Sequence, residues 1–301
     1  MTGASESATS YSSAVQQPLQ MMEKRQLGPF SVSAIGLGAM RLAGPNVFGP
    51  PADRDEAVAV LRAAADLGVD HIDTAQYYGP VVVNELIREA LHPYPPELVL
   101  VSKVGAKRGN RGEIFADDEP GRLRQGIEDN LKTLGTSSIG IVNLRLMRTS
   151  GPDSLFDDQL GAMMAARDDG LIRGVGLSNV SLAHLLHALR FTEIACVQNA
   201  FNPADRTSQP VLDECTRRGI AFVPFAPLGF GSSSLLRNPS LAQVAARSEC
   251  TPAQACLAWQ LAWAPNVLLI PGTSSLQHLH ENLAATQVRL DDHALQEISR
   301  L

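Results

Sequence analysis

Short apolar segments alternate along the chain with longer amphipathic ones. Eight of the short segments are rich in apolar and β-branched residues, which is typical of strands. They lie at 33–40, 69–75, 97–104, 138–146, 173–180, 194–201, 220–228 and 266–273. Their apolar character is nearly continuous, as in strands that are covered on both faces. The pattern therefore predicts a parallel sheet.

The segments between these strands have a helical period. The stretch that begins at Asp53 opens on acidic residues, repeats apolar residues along one face and stops at Gly68. A second stretch, 119–135, has the same design and stops at Gly135. Strands and helices thus follow one another in turn from residue 33 onward.

Eight strands that alternate with helices over about 250 residues are typical of an α/β protein of the (β/α)8 TIM-barrel class. A doubly wound sheet is the alternative, and it needs a glycine-rich phosphate loop after its first strand. The stretch 36–41, "GLGAMR", supplies two of the three glycines of such a loop. The barrel is therefore the preferred fold.

The N-terminal end has a different composition from the rest. Residues 1–20 are rich in serine and contain neither a positively charged flank nor a long apolar run. We expect a disordered extension at 1–20, followed by a single barrel domain at 21–301. Elsewhere no apolar run reaches the length of about 18 to 20 residues that spans a bilayer, so we expect no membrane partner.

Charge and cysteine content narrow the function classes. The formal net charge of −6 argues against a nucleic-acid binder, which normally presents a basic face to the phosphates. The four cysteines form no C-x-x-C pair and no zinc-ligand spacing with histidine. This usage indicates neither a disulfide framework nor a zinc site, and it predicts a reducing cytoplasmic location.

Three polar residues meet at the mouth of the predicted barrel. Catalytic residues of this fold lie at the carboxyl ends of strands, where Asp73 and Lys103 fall, and Tyr78 follows Asp73 by five residues. A buried ammonium beside a phenol favours the phenolate, and a carboxylate keeps that ammonium charged. The trio therefore predicts a tyrosine whose pKa is lowered for general acid and base catalysis.

Other interpretations of these residues exist. An aspartate at the end of a strand is often a cap, and a nearby tyrosine is often a packing residue. Lys103 lies in an apolar setting, where lysine is rare. It could alternatively be the Schiff-base nucleophile of a barrel aldolase.

Several motifs together resemble the aldo-keto reductase family. They are "GLGAMRL", "HIDTAQYYG", "VSKVG", "GVGLSN" and "LLIPGTSSLQHLHENL", in family order and spacing over residues 22–301. Within the family, the chain looks closest to the bacterial pyridoxal reductase-like branch. The resemblance implies a nicotinamide-dependent carbonyl reductase in which Tyr78 gives the proton and Lys103 and Asp73 tune it.

The chain departs from the family pattern at the fourth strand. The family usually has a histidine there, whereas this sequence has Arg145. Asn143 shares the strand face of Arg145, so either side chain could reach the pocket. If Arg145 faces the site, it lowers the pKa of Tyr78 further and can hold an anionic substrate oxygen. The alternative is a surface ion pair of Arg145.

The resemblance also assigns cofactor residues. Ser178, Asn179 and Gln198 correspond to the residues that bind the nicotinamide carboxamide, and Phe225 to the ring that stacks on the nicotinamide. Further positions carried over from the family are Gly38, Ala39, Met40, Pro227, Leu228, Gly229, Gly231, Gly272, Thr273, Ser274, His278, Glu281 and Asn282. His278 replaces a common phosphate-binding arginine, so NADPH is expected and NADH is also allowed.

The remaining expectations concern substrate and activity. Phe48 and the charged segment 106–119, which predicts a solvated mobile loop over the barrel mouth, are expected to shape the substrate pocket. The preferred function is reduction of a small aldehyde or ketone, with pyridoxal to pyridoxine as a candidate. The alternative is a cofactor-binding sensor or regulatory protein with little carbonyl turnover, suggested by the missing histidine.

Overall fold

The computed structural model describes residues 23–148, 150–229 and 234–301. Its strands are β1 (Lys24–Leu27), β2 (Phe30–Ser33), β3 (Leu37–Gly38), β4 (His71–Asp73), β5 (Val99–Arg108), β6 (Ile114–Asp117), β7 (Ile139–Arg145), β8 (Ile172–Ser178), β9 (Cys196–Gln198) and β10 (Ala221–Phe222). Its α-helices are α1 (Arg54–Asp66), α2 (Val82–Leu91), α3 (Pro120–Leu134), α4 (Ser154–Asp168), α5 (Leu182–Ala188), α6 (Gln209–Arg218), α7 (Pro239–Arg247), α8 (Pro252–Trp263), α9 (Leu276–Ala284) and α10 (Asp292–Ile298). The predicted extension at 1–20 lies outside the described residues.

The parallel strands curl into a barrel. Their order is β3, β4, β5, β7, β8, β9 and β10, with each strand beside its predecessor in the ring. The eighth predicted segment closes the ring through single parallel bridges, from Val267 to Phe222 and from Leu269 to Ile35. All eight predicted strand positions are thus occupied, and the (β/α)8 prediction is confirmed.

Local signals fixed several helix ends. Asp53 caps α1 by accepting a hydrogen bond from the backbone N–H of Glu56, and Gly68 follows this helix with a positive φ of 86°. Gly135 ends α3 in the left-handed conformation that favours glycine. The helices bury their apolar faces against the outside of the barrel, as their periodicity predicts.

The hairpin of β1 and β2 closes the floor of the barrel. Leu27 and Val32 pack against barrel-interior residues such as Val101 and Ile141. The buried Asp70 carboxylate accepts hydrogen bonds from the backbone N–H of Ser33, at 2.9 and 3.1 Å. The hairpin therefore packs across this end of the barrel interior.

The segment 106–119 over the barrel mouth belongs to a β-hairpin, whereas the sequence predicted a loop there. Strand β5 continues to Arg108 and pairs with β6 in an antiparallel hairpin, in which Ala106 lies opposite Ala116. The expectation of an irregular loop is wrong because charged side chains mask a period-two pattern on this projecting ribbon, which is exposed on most of its surface. The hairpin places its own side chains beside the barrel mouth.

No helix in the described parts of the chain is long and apolar enough to cross a membrane.

Candidate active site

A cavity of about 250 Å³ opens at the carboxyl ends of the barrel strands. Most of the residues predicted for the site line it. They are Gly38, Met40, Asp73, Tyr78, Lys103, Arg145, Gln198, Phe225, Pro227, Leu228, Gly229 and Gly272. The position agrees with the end of the barrel at which this fold carries its chemistry.

The Asp73 carboxylate accepts hydrogen bonds from two other side chains that line the cavity. The ammonium of Lys103 donates to Asp73 Oδ1 in a buried ion pair, and it also donates to the carbonyl oxygen of Thr74 at 3.1 Å. Gln198 Nε2 donates to Asp73 Oδ2 at 2.7 Å. Both carboxylate oxygens are therefore satisfied, which is what a buried ion pair needs in order to be tolerated.

The arrangement of Lys103 disfavours the aldolase alternative. An amine that attacks a carbonyl must be free and unprotonated. Lys103 Nζ instead points its donors at two acceptors, one of them a carboxylate. The lysine is thus placed to position its neighbours.

Tyr78 is buried beside this pair. Lys103 Nζ lies 5.1 Å from the centre of the Tyr78 ring, and the Tyr77 ring packs edge-on with its centre 5.3 Å from that of Tyr78. Burial raises the pKa of the Tyr78 phenol well above its ordinary value, and the Asp73 carboxylate adds to the rise. Arg145 and Arg108 oppose the rise without cancelling it.

The prediction of a lowered Tyr78 pKa is therefore wrong in its direction. Asp73 neutralises the charge of Lys103 at contact distance, so the ammonium no longer favours the phenolate strongly. Desolvation of the phenolate then outweighs the two more distant guanidinium groups. The phenol keeps its proton at neutral pH, which suits a proton donor.

Arg145 faces the cavity. Its guanidinium donates to Ser178 Oγ at 3.3 Å and lies 5.4 Å from the centre of the Phe225 ring. Within the described residues it forms no ion pair, so the surface alternative is wrong. Arg145 instead contacts two side chains that were predicted to hold the nicotinamide.

Asn143 lies deeper in the barrel, in register with Lys103 and Gly176. Its amide donates to the carbonyl oxygen of Ser102 at 3.4 Å and accepts from the Cys196 thiol at 3.3 Å. A Cβ on Gly176 would lie 2.2 Å from Asn143 Oδ1, so glycine makes room for this amide. Asn143 is fully buried below the cavity lining rather than at its surface.

Of the three carboxamide-binding candidates, Gln198 lines the cavity, whereas Ser178 is fully buried and Asn179 lies outside the lining. Ser178 and Gln198 are neighbours in register, and Asn179 has a positive φ of 60° and donates to the Leu146 carbonyl oxygen at 2.8 Å. Gln198 Oε1 is buried and has no hydrogen-bond partner among the described residues. An acceptor in this condition is a site for a ligand donor.

Close backbone contacts shape the opposite wall. Gly38 and Gly272 form a bridge across the barrel closure, and a Cβ on Gly38 would lie 2.4 Å from the Ile270 carbonyl oxygen. Met40 lines the cavity, whereas Ala39 is buried behind it. Gly231 lies outside the described residues.

The predicted adenosine residues follow Gly272, beyond the cavity itself. The backbone N–H of Ser275 donates to Thr273 Oγ1 at 3.0 Å, and Ser274 and His278 are exposed. Glu281 accepts a hydrogen bond from Thr251, and Asn282 is buried on α9. Phe48 is half-buried and packs against the turn of the hairpin at Gly112, outside the cavity lining.

The sequence did not single out seven of the lining residues, which are Arg41, Tyr77, Arg108, Ile114, Ala226, Ile270 and Pro271. Tyr77 adjoins Tyr78 and could have been suspected from the paired tyrosines. Arg41 follows the "GLGAM" motif on a short 3-10 helix, Ala39–Leu42. Arg108 lies in the segment 106–119, which was expected to shape the pocket as a solvated loop, but no pattern within that segment singles out Arg108.

A buried polar network supports the segment that carries Asp73 and Tyr78. Asn84, on α2, accepts from Thr74 Oγ1 at 2.8 Å and donates to Asn130 Oδ1 at 2.9 Å and to Gln76 Oε1 at 3.0 Å. Ser102 Oγ donates to Asn130 Oδ1 at 2.6 Å. The network ties the residues around Asp73 and Lys103 to two helices.

We expect Asn84→Ala to lower the free energy of unfolding by about 2–4 kcal/mol, because it leaves several buried polar groups unpaired. Urea denaturation measures the loss. Gln125→Ala, an exposed change on α3, is the matched control and should shift stability by less than about 0.5 kcal/mol. A loss below about 1 kcal/mol for Asn84→Ala would show that solvent replaces the network.

Comparison with known proteins gives a consistent result. Residues 34–301 match the model of the Aldo/keto reductase family. The chain is 44% identical over 272 residues to pyridoxine 4-dehydrogenase of Escherichia coli, covering 89% of this chain and 94% of that protein.

Solved structures agree. One is a thermostable aldo-keto reductase in complex with the inhibitor epalrestat, with a TM-score of 0.78, 29% identity and coverage of 93% of this chain and 99% of that chain. Another is an aldo/keto reductase from Klebsiella pneumoniae in complex with NADP and acetate, with a TM-score of 0.75, 26% identity and coverage of 92% and 95%.

Proposed function

The chain belongs to the aldo/keto reductase family, and from that premise we propose that it is an NADPH-dependent oxidoreductase that reduces a small aldehyde or ketone. The observation that carries the proposal is the convergence of Asp73, Tyr78, Lys103 and Gln198 on one wall of the mouth cavity. These residues come from separate strands and loops, and a packing role alone gives no reason for a phenol and an ion pair to meet there.

The residues present fit a nicotinamide dinucleotide. The unpartnered Gln198 Oε1 can accept from a carboxamide N–H, and Ser178 supplies a neighbouring hydroxyl. Phe225 lines the same cavity and is the candidate ring for stacking on the nicotinamide, and Gly229 and Gly272 line it as candidates for contact with the diphosphate. When bound, the reduced nicotinamide supplies a hydride.

We assign NADPH as the preferred cofactor and NADH as an alternative. Thr273, Ser274 and His278 are the candidates for contact with a 2′-phosphate, and Glu281 and Asn282 for contact with adenine. The exposed His278 imidazole lacks the permanent charge of arginine, so its contribution to NADPH preference is modest.

The chain's own residues manage the proton. Tyr78 Oη carries it at neutral pH, because burial raises the pKa of the phenol, and gives it to the carbonyl oxygen of the substrate. Lys103 and Asp73 hold the ring and the loop around it in place through contacts to the Thr74 carbonyl oxygen and to Gln198. Arg145 steadies Ser178 and the Phe225 ring.

The substrate is a small carbonyl compound that fits a cavity of about 250 Å³. The 44% identity to pyridoxine 4-dehydrogenase makes pyridoxal the first compound to test. The four cysteines are free thiols, and a reducing, cytoplasmic location stays a prediction.

The test follows NADPH and NADH absorbance with purified protein, pyridoxal and a panel of neutral aldehydes. We expect oxidation of NADPH with pyridoxal, and slower oxidation of NADH. Binding of NADPH is measured in parallel by quenching of tryptophan fluorescence. Tight binding without turnover of any carbonyl would contradict the proposal and favour a sensor or regulatory protein.

The pH profile gives a separate prediction. Because the pKa of Tyr78 is raised, the acid form persists through neutral pH, and reduction should not decline between about pH 6 and 9 on account of this group. The measurement is kcat for reduction in overlapping buffers at saturating NADPH. A decline in kcat with a midpoint below about pH 8, caused by deprotonation of Tyr78, would instead indicate a lowered pKa of this phenol, as the sequence alone predicts.

A further inference from the structure

The hairpin over the mouth carries a charged side chain into the site. Arg108 is the last residue of β5, and its guanidinium lines the cavity together with Tyr78 and Arg145. Gly105 bends the strand on the way, with a φ of +99°, where a Cβ would lie 2.5 Å from the Arg145 carbonyl oxygen. This bend interrupts the alternation of side chains that begins at Lys103, and it allows Arg108 to turn inward.

Arg108 is held in place but not neutralised. Its Nη1 donates to the Gly112 carbonyl oxygen at 2.5 Å across the hairpin. Its Nε is buried and has no partner within the described ranges, and no described carboxylate forms an ion pair with it. A guanidinium that lies partly buried with donors unused is costly unless a ligand supplies the acceptor.

The charges that line the cavity do not balance. The lining contains four cationic side chains, Arg41, Lys103, Arg108 and Arg145, and one carboxylate, Asp73, which Lys103 already neutralises. Arg41 lies on the side of Gly272, where its Cγ is within 3.2 Å of a Cβ placed on that glycine. Arg108 and Arg145 remain beside Tyr78, in a protein whose overall charge is −6.

We propose that Arg108 is a specificity-determining residue which, together with Arg145, holds an anionic oxygen of the substrate. The substrate class is then aldehydes that carry a phenolate or carboxylate close to the carbonyl group. Guanidinium groups bind such oxygens through charge-assisted hydrogen bonds. Arg108, Arg145 and Tyr78 line the same cavity, so an anionic oxygen held by the two arginines lies close to the carbonyl group that meets Tyr78. The proposal rests on the proposed reductase function.

The test compares matched pairs of substrates. Pyridoxal is paired with its 3-O-methyl ether, and 2-carboxybenzaldehyde with its methyl ester, so that in each pair methylation removes one anionic oxygen. For Arg108→Gln we expect kcat/KM to fall by about 10-fold to 100-fold for the anionic member and by less than about 3-fold for the neutral member. Arg108→Lys should retain part of the preference, since it keeps the charge but loses the fork.

A neighbouring residue provides the control. Lys107→Gln removes a charge from the same hairpin, where the ammonium is exposed and pairs with Asp117 at 2.9 Å. This variant should keep the wild-type ratio of kcat/KM between anionic and neutral substrates. A change in this ratio as large as that of Arg108→Gln would overturn the proposal, because the preference would then come from the overall charge of the hairpin.

Other outcomes also decide the matter. An equal loss for both members of a pair would make Arg108 a structural residue of the hairpin and overturn the proposal. A higher Kd for NADPH with an unchanged ratio of kcat/KM between anionic and neutral substrates would assign Arg108 to a cofactor phosphate. This result would also overturn the proposal. If the wild type reduces neither pair, the proposed function fails. Calorimetric titration of the NADP⁺-loaded protein with benzoate then tests Arg108 independently, and at least 10-fold weaker binding by Arg108→Gln is the expected result.

Discussion

Replacement of Tyr78 by phenylalanine should abolish most of the reductase activity while leaving the cofactor site intact. The change removes one hydroxyl, and with it the proton that the carbonyl oxygen receives. General acid catalysis contributes about 10²-fold to 10⁴-fold, so we expect kcat to fall by about 10³-fold. The phenyl ring keeps its packing against Tyr77 and its position over Lys103, so unfolding free energy should change by less than about 1 kcal/mol.

The adjacent tyrosine supplies a stringent control. Tyr77→Phe removes a hydroxyl from a ring that lines the same cavity and is similarly buried. We expect it to lower kcat by less than about 10-fold, since general acid catalysis is assigned to Tyr78. Stopped-assay product analysis and the Kd for NADPH should be measured for both variants. If Tyr77→Phe were the inactive variant, the roles of the two rings would have to be exchanged.

The barrel could be predicted from the sequence because its signal is local and repeated. Eight apolar segments separated by helices with glycine ends allow few other folds, and the glycine at 135 ends its helix as expected. The eighth strand shows the limit of such reasoning. Its segment closes the ring through isolated bridges alone, although its apolar pattern resembles that of the longer strands.

The centre of the site could be predicted from strand positions, and other parts of it only from the family resemblance. Asp73 and Lys103 follow from their positions at the ends of neighbouring strands, whereas Gln198 was assigned through the resemblance, and both Lys103 and Gln198 donate to Asp73. Arg108 could not be found in this way, because its placement depends on the bend at Gly105 and on pairing with β6. The buried amides of Asn84 and Asn130, 46 residues apart, likewise give no local signal of their contact.

The direction of the Tyr78 pKa shift was also beyond the sequence. The residue types predict a cation, an anion and a phenol, but the sign of the pKa shift depends on which two of these groups are in contact. The ion pair of Lys103 with Asp73 offsets the positive charge that would have favoured the phenolate, and burial of the phenol raises its pKa further. The same ion pair makes Lys103 the residue with the second largest expected effect.

Replacement of Lys103 by methionine should damage both stability and activity. The change leaves the buried Asp73 carboxylate with Gln198 as its remaining side-chain donor, and loss of one partner of a buried ion pair costs about 3–5 kcal/mol. It also frees the Thr74 carbonyl oxygen, so the loop that carries Tyr78 loses an anchor. We expect kcat to fall by about 10²-fold or more, as for the loss of general acid catalysis. Lys107→Met, at an exposed position, should leave stability within about 0.5 kcal/mol of the wild type.

A second substitution separates the two effects. If the destabilisation of Lys103→Met comes from an uncompensated carboxylate, then adding Asp73→Leu should restore most of the lost unfolding free energy, because apolar replacement of a whole buried ion pair is often neutral. Activity should not return, since neither the anchor of the Thr74 carbonyl nor the partner of Gln198 is restored. Urea denaturation and NADPH oxidation measure the two properties on the same samples. Recovery of both together would mean that Lys103 serves only the fold, whereas recovery of stability alone assigns the ion pair to the positioning of Tyr78.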